Sequence, residues 1–215
     1  MSNNKKVTIL DYGLGNLMSV SRAIKKVGAL PKVSDKFEDI RRADYLVLPG
    51  VGNFSVAIKE LENRGFIEEI KKYAELERPL MGICLGMQLL FESSEEQGYH
   101  EGLGLIEGKV EAIPKKNSSN IPNKIPHIGW ARISILERDK FNEVNFFDKS
   151  DNKFFYFVHS FQGIPKNDNN YLATTKYNDI QITAAVRNGY IVGCQFHPEK
   201  SGDNGIALID DFLEM

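Results

Sequence analysis

The sequence predicts an α/β fold, a three-layer sandwich in which a mostly parallel central sheet has helices on both faces. Over about the first 95 residues, short apolar, β-branched runs alternate with amphipathic segments, the pattern of strands joined by crossover helices. After them, apolar segments follow one another with little helix between, which favours antiparallel strands in the second half. No repeat or boundary divides the chain, so we expect one domain over residues 1–215.

The first half supplies strands and helices in alternation. The β-branched run at residues 7–10 predicts a buried strand, and apolar residues at helical spacing over 17–27 predict a helix that Gly28 ends. The same two signals recur further along the chain. Strands are expected at residues 45–48 and 80–83, and helices at 55–63, 67–76 and 85–91.

The second half consists mainly of expected strands. Six short apolar stretches lack helical periodicity, and the polar segment at 114–126, with its three prolines, is expected to be a surface loop. The expected strands are residues 110–113, 131–136, 154–158, 171–177, 182–186 and 191–196.

The composition argues against a nucleic-acid-binding or membrane protein. The 27 basic and 29 acidic residues give a net charge of −2, too small for general attraction to a polyanion. No apolar stretch approaches the roughly 20 residues that span a bilayer, and the residues after Met1 are too polar for a signal peptide. Cys84 and Cys194 are the only cysteines, which fits a reduced, cytoplasmic compartment.

The most informative segment is Gly82-Ile83-Cys84-Leu85-Gly86, between an apolar strand and an amphipathic helix. A nucleophile on a sharp strand-to-helix turn needs small residues two positions to either side, because the chain segments approach closely there. The helix N-terminus favours the thiolate, and its free N–H groups, beginning with that of Leu85, can hold an oxyanion. We therefore predict that Cys84 is a catalytic nucleophile; the alternative is a buried core cysteine beside tight-turn glycines.

A thiolate nucleophile requires a base, and His197 follows a strand that a proline ends. Glu199, two positions further on, can lie behind the imidazole and fix its tautomer, which would complete a Cys84–His197–Glu199 triad. An isolated His-x-Glu is usually a surface pair. Here the cysteine elbow and the strand-end position favour the triad.

The other histidines and the second cysteine carry weaker signals. His159 ends an aromatic strand and could lie in the core or in a pocket, His100 resembles an exposed loop residue, and His127 is undecided. Cys194 lies in an apolar strand without an elbow, so we expect it to be structural.

A dinucleotide-binding enzyme is a weak alternative. Gly13-Leu14-Gly15 follows the first strand, and Asp35 lies at a suitable distance for a ribose contact, but Met18 stands where the third glycine belongs. No cluster of His, Cys or Asp has the spacing of metal ligands, so we expect neither a metal nor a cofactor.

These motifs resemble the class I (triad) glutamine amidotransferases, and within them the branch of glutaminase subunits of imidazole glycerol phosphate synthase. The resemblance covers nearly the whole chain and implies a flavodoxin-like sheet. The elbow and the HPE string at 197–199 mark the superfamily, and PGVG at 49–52 with YFVHS at 156–160 is typical of this branch. Further matching segments are DYGLGN at 11–16, HIGW at 127–130 and QFHPEKSG at 195–202.

The resemblance implies glutamine hydrolysis through a thioester on Cys84, with His197 carrying the proton. It also implies an oxyanion site formed by the loop Gly50-Val51-Gly52 and the N–H of Leu85. From the residues alone, Glu96 suits the substrate ammonium, although an ordinary solvated helix face would look similar. The residues that the resemblance places beside glutamine are Gln88, Glu96, His159, Ser160 and Phe161.

Because ammonia must not escape to water, a partner is implied. In the family it is a (β/α)8-barrel cyclase that forms a heterodimer with the glutaminase in histidine biosynthesis. The resemblance places Asn16, Trp130, Tyr156 and Lys200 at that interface, with core packing an equal alternative for Trp130. Ala131 departs from the family's usual Gly-Trp-Asn. A paralogue that feeds ammonia to a cyclase-like partner in surface-sugar modification therefore stays open.

Two further alternatives concern the chemistry itself. A degenerate, non-enzymatic binding scaffold is disfavoured because Cys84, His197 and Glu199 are all present. A different cysteine hydrolase built on the same sheet would share the elbow.

Overall fold

The computed structural model describes residues 5–136 and 147–215, which contain thirteen strands and six α-helices. The strands are β1 (Lys6–Leu10), β2 (Leu30–Ser34), β3 (Tyr45–Gly50), β4 (Leu80–Cys84), β5 (Phe91–Ser94), β6 (His100–Glu101), β7 (Ile106–Ala112), β8 (His127–Ile135), β9 (Phe154–His159), β10 (Phe161–Pro165), β11 (Tyr171–Tyr177), β12 (Ile180–Asn188) and β13 (Ile191–Cys194). The helices are α1 (Leu17–Lys26), α2 (Phe37–Arg41), α3 (Phe54–Asn63), α4 (Phe66–Glu75), α5 (Leu85–Leu89) and α6 (Gly202–Leu213). In these ranges no helix is long and apolar enough to cross a membrane.

A nine-stranded sheet in the order β2-β1-β3-β4-β13-β12-β11-β8-β9 forms the centre of the molecule. Its first five strands are parallel, in the spatial order typical of flavodoxin-like sheets. The remaining strands are antiparallel. The strand β8 changes partners along its length: His127–Arg132 pair with β9, and Ile133–Ile135 pair with β11. The predicted fold class is confirmed.

Helices cover both faces of this sheet because strand residues alternate between two cores. On β3, Val47 points to the core that holds Leu208 and Phe212 of α6. Its neighbours Leu46 and Leu48 point to the other core, with residues of α3 and α4. The helix α6 was not predicted, although its apolar residues recur at helical spacing.

A second sheet, in the order β10-β7-β5-β6, was not predicted. The predicted helix 85–91 ends at Leu89, and Phe91 instead begins β5, opposite Ile106 of β7. Residues 85–91 are buried throughout, and a run that is apolar on all sides does not distinguish helix from strand. The pairing of Phe91 with Ile106 of β7 places Phe91 in a strand. The strand β2 and the helix α2 were also missed, since β2 is a largely exposed edge strand without an apolar run.

The topology brings the loops that follow β1, β3, β4 and β13 to one edge of the sheet. In open α/β sheets, ligands bind outside the carboxyl ends of the parallel strands. This edge carries Asn16, the loop at 51–53, Cys84 and His197.

Candidate active site

Cys84 lies on a strained turn between β4 and α5, with φ 55° and ψ −109°. Two close approaches explain the glycines around it. A Cβ on Gly86 would lie 1.9 Å from the carbonyl oxygen of Leu48, and one on Gly82 would lie 2.6 Å from that of Gly86. The side chain of Cys84 is therefore held by its backbone at the edge of the sheet, and the residue is 7% exposed.

His197 and Glu199 approach Cys84 from the end of β13. The N–H of His197 donates to the carbonyl of Tyr156 at 2.9 Å, which fixes the backbone on β9. The short turn Pro198–Lys200 then returns Glu199 to the ring, and its Oε1 lies 2.8 Å from Nδ1 of His197. A carboxylate accepts, so Nδ1 donates and Nε2 is left for the hydrogen bond to Cys84. The predicted triad residues are thus brought together.

The His197 imidazole holds its proton unusually tightly. Burial alone would lower the pKa of His197, but hydrogen bonds to Cys84 and Glu199, together with the charges of those groups, raise it to about 9. Both the His197 and Glu199 side chains are almost fully buried, at 3% and 1% exposed. The arrangement favours an imidazolium beside the sulfur, which is the state that presents a thiolate nucleophile.

We expect the free energy of unfolding to fall as the pH rises through about 9, the pKa of folded His197. Since the unfolded histidine titrates near 6.5, this stabilisation is fully present below pH 6.5 and is lost as the pH rises through 9. The rise in pKa from 6.5 to about 9 corresponds to about 3 kcal/mol. Urea unfolding at pH 6.5 and pH 10 measures the loss. The variant His197→Asn should lose less than the wild type, and equal losses would contradict the assignment.

A cavity of about 310 Å³ opens beside the triad. Cys84 and His197 lie on its wall, as do Val51, Gly52 and Leu85 of the predicted oxyanion site. Gly50 is buried behind the wall, where an added Cβ would lie 2.7 Å from the hydroxyl of Tyr12. All five predicted substrate residues line the cavity: Gln88, Glu96, His159, Ser160 and Phe161.

Glu96 places a carboxylate at the cavity wall. One of its oxygens, Oε2, accepts a hydrogen bond from the N–H of Phe54 at 2.8 Å, at the start of α3. Asn53 caps the same helix through its side chain. The carboxylate is therefore fixed to the segment that follows the 50–52 loop, in a position suited to a ligand's ammonium group.

Two neutral histidines lie next to each other beside the cavity. Nδ1 of His159 donates to the carbonyl of Phe161 at 2.8 Å, so its Nε2 accepts from Nδ1 of His127 at 3.0 Å. Burial lowers the pKa of His127 to about 4 and that of His159 to about 3. His159 lines the cavity, whereas His127 packs behind it against Phe157 and Tyr177.

Other sequence predictions have clear outcomes. Cys194 is buried, its Sγ lies 3.7 Å from the carbonyl of Gly82, and burial raises the pKa of its thiol, as befits a structural residue. His100 was expected in an exposed loop; this was wrong, since it is half-buried in β6, paired with β5. The sequence reasoning missed Pro126 and Val158 of the cavity wall, and Gln195, a polar residue in an otherwise apolar segment.

The four predicted interface residues lie on β8, on β9 and in the segments that follow β1 and β13. Trp130 is 56% exposed, which excludes simple core packing. Its ring centroid lies 6.0 Å from that of Tyr156 on the neighbouring strand. Asn16 precedes α1, which packs against the turn that carries the exposed Lys200.

Comparisons with known proteins agree with one another on the family of this chain. A family model described as glutamine amidotransferase class-I matches residues 8–215. The imidazole glycerol phosphate synthase subunit HisH 1 of Legionella pneumophila (strain Lens) is 44% identical over 210 residues, 97% of this chain and 99% of that protein. The subunit HisH of Sulfurimonas denitrificans is 42% identical over 208 residues, 97% of each chain. The structure of PurLQS from Thermotoga maritima has a TM-score of 0.70 at 21% identity over 98% of both chains, a likeness of fold.

Proposed function

The chain belongs to the class-I glutamine amidotransferases, and from that premise we propose that it is the glutaminase subunit of an imidazole glycerol phosphate synthase. It hydrolyses glutamine to glutamate and ammonia, which a partner uses in histidine biosynthesis. The observation that carries this proposal is the buried Cys84–His197–Glu199 arrangement on the wall of a cavity. Relatives of the synthase subunit, similar over nearly the full length, support the choice of branch.

The reaction follows from the positions of the triad atoms. The Cys84 thiolate attacks the carbon of the glutamine side-chain amide, and the oxygen becomes an oxyanion. The N–H of Leu85 and the loop Gly50–Val51–Gly52 stabilise that charge. Imidazolium His197 gives its proton to the leaving nitrogen, ammonia departs, and a thioester remains. Neutral His197 then takes a proton from water, whose oxygen attacks the thioester and releases glutamate and the thiolate.

The cavity supplies groups for both ends of glutamine. The Glu96 carboxylate pairs with the substrate ammonium, and Ser160 and Phe161 also line the cavity. His159 adds no positive charge there, because it is neutral at physiological pH. Gln88 lies one helical turn beyond Cys84, and both of its amide hydrogens are engaged by Phe161 and Gln195. Its Oε1 is thus the atom that can accept from the substrate.

The partner is a (β/α)8-barrel cyclase that forms a heterodimer at the edge defined by Asn16, Trp130, Tyr156 and Lys200. The half-exposed aromatic pair Trp130 and Tyr156 has the character of an interface anchor. Ala131 packs against the core, and adjacent strand residues point to opposite faces. The departure from Gly-Trp-Asn therefore leaves the Trp130 surface unchanged. We place the protein in the cytoplasm, where both unpaired thiols stay reduced.

We expect glutamate release to be low for the purified chain and to rise many-fold when a histidine-pathway cyclase and its nucleotide ligand are added. Trp130→Ala should weaken the partner's binding by about 2 kcal/mol, or 30-fold, because large buried aromatics dominate interfaces. Titration of glutamate release with the cyclase measures this. The matched control is Leu76→Ala, 58% exposed at the end of α4, which should titrate like the wild type.

The same experiment distinguishes a role in histidine biosynthesis from a role in surface-sugar modification. If the ligated cyclase gives no stimulation while a glutamine analogue still alkylates Cys84, the chemistry stands and the histidine assignment is wrong. The paralogous role in surface-sugar modification would then account for the chain. Complementation of a histidine auxotroph provides a second test.

A further inference from the structure

We propose that Gln195 is a positioning residue for the nucleophile: its side-chain amide donates a hydrogen bond to Sγ of Cys84 and stabilises the ionised sulfur. This inference rests on the proposed function of the site. It adds a donor outside the triad that acts on the sulfur directly.

The contact between Gln195 and Cys84 is buried, and a backbone hydrogen bond holds Gln195 in place. Nε2 of Gln195 lies 3.8 Å from Sγ of Cys84, within hydrogen-bonding distance for sulfur. Gln195 is fully buried, at 0% exposed. Its backbone N–H donates to the carbonyl of Ala184 on β12 at 2.9 Å, which anchors the residue at the end of β13. A buried amide must find partners for its polar atoms, and here the sulfur is one of them.

The hydrogen-bond network determines which end of the amide faces the sulfur. The main-chain carbonyl of Phe161 can only accept, so the group of Gln88 that lies 3.2 Å away must be its Nε2. The second hydrogen of that Nε2 is donated to Oε1 of Gln195 at 3.0 Å. With Oε1 engaged, Nε2 of Gln195 faces Cys84. A Gln195 amide turned the other way would place its NH2 group against that of Gln88, two donors without an acceptor between them.

The sulfur thus lies between groups that favour opposite protonation states. The carbonyl oxygen of Val158 lies 4.0 Å from Sγ and can accept only from a protonated thiol. Gln195 and the imidazolium of His197 donate, and both favour the thiolate. Without the Gln195 donor, one of the groups that favour the thiolate is lost, while the Val158 carbonyl still favours the protonated thiol. Less thiolate would then be present at neutral pH.

The pH dependence of Cys84 alkylation tests this directly. Full-length wild type, Gln195→Met and Gln195→Glu are treated with iodoacetamide over a pH series, and peptide mass spectrometry distinguishes Cys84 from Cys194. Gln195→Met keeps the side-chain volume but has no donor. We expect its midpoint to rise by about one pH unit, since a hydrogen bond to an ionised group corresponds to roughly a tenfold effect. Gln195→Glu keeps an acceptor for Gln88 and puts a carboxyl group against the sulfur, so its midpoint should rise further.

Glutamate release gives a second readout, in which kcat should fall about tenfold with little change in KM. The matched control is Gln162→Met, which removes another buried glutamine, one that accepts from the N–H of Thr183 at 3.3 Å. It should keep the wild-type midpoint. If Gln195→Met fails to fold by circular dichroism, the nearly isosteric Gln195→Glu carries the test.

Wild-type midpoints in both Gln195 variants would overturn the proposal, even if their activity fell, since a merely structural residue would lower activity without shifting the pH profile. Alkylation requires neither glutamine nor a cyclase. A wild-type chain that fails to hydrolyse glutamine would therefore count against the proposed function and leave the Gln195 result readable.

Discussion

Replacing Cys84 by alanine is expected to abolish glutamate release, both for the chain alone and with its partner. The thioester route has no substitute nucleophile at this position, so the rate should fall by at least about 10⁴-fold. The fold should persist, because alanine occupies the same strained backbone without adding atoms. A coupled glutamate assay measures the effect, and circular dichroism verifies folding.

The control for this prediction is Cys194→Ala, which removes the other thiol. Cys194 is buried and contacts the carbonyl of Gly82, so a loss of about 1 kcal/mol in stability is expected from the vacated volume. Its glutaminase activity should stay near that of the wild type. Substantial activity in Cys84→Ala, or its loss in Cys194→Ala alone, would show that the wrong cysteine was assigned.

Gly86→Ala is expected to have the largest effect on stability. The added Cβ would lie 1.9 Å from the carbonyl oxygen of Leu48, a backbone atom of β3 that cannot rotate away. Either α5 must shift away from β3 or the turn at Cys84 must open. We expect a loss of at least about 3 kcal/mol, as for severe overpacking. Activity should be lost as well, because the elbow positions the sulfur.

Urea unfolding measures this loss, and Gly28→Asn is the control. Gly28 has a φ of +83° with no atom within 4 Å of an added Cβ, and asparagine tolerates that conformation. Its free energy of unfolding should change by no more than about 1 kcal/mol. A Gly86→Ala chain that unfolds at the wild-type urea concentration would show that the elbow has more room than the distances indicate.

The grouping of Cys84, His197 and Glu199 was predictable because its signals are local. Gly82, Cys84 and Gly86 are sufficient to indicate the turn, and only one residue separates His197 from Glu199 in the chain. Four of the five parallel strands of the central sheet were equally accessible, since each carries its own apolar run. The exposed edge strand β2 has no such run and was missed.

Three further features were missed because they depend on contacts between distant segments. Phe91 leaves the expected helix because it pairs with Ile106 in the second sheet. His100 is half-buried because β6 pairs with β5. The orientation of Gln195 follows from the Phe161 carbonyl, 34 positions earlier in the chain, by way of Gln88. None of these relations has a local sequence signature.

The backbone of Tyr156 has a consequence for how substitutions at this edge should be interpreted. Its carbonyl accepts from the N–H of His197, and its own N–H donates to the hydroxyl of Ser201 at 3.0 Å, so main-chain atoms tie this residue to His197 and to the turn that follows it. Its ring packs beside that of the exposed Trp130. A side-chain truncation at Tyr156 therefore leaves both bonds in place. Under the proposed function, docking and hydrolysis are separable by mutation here, although one residue contributes its ring to one site and its main chain to the other.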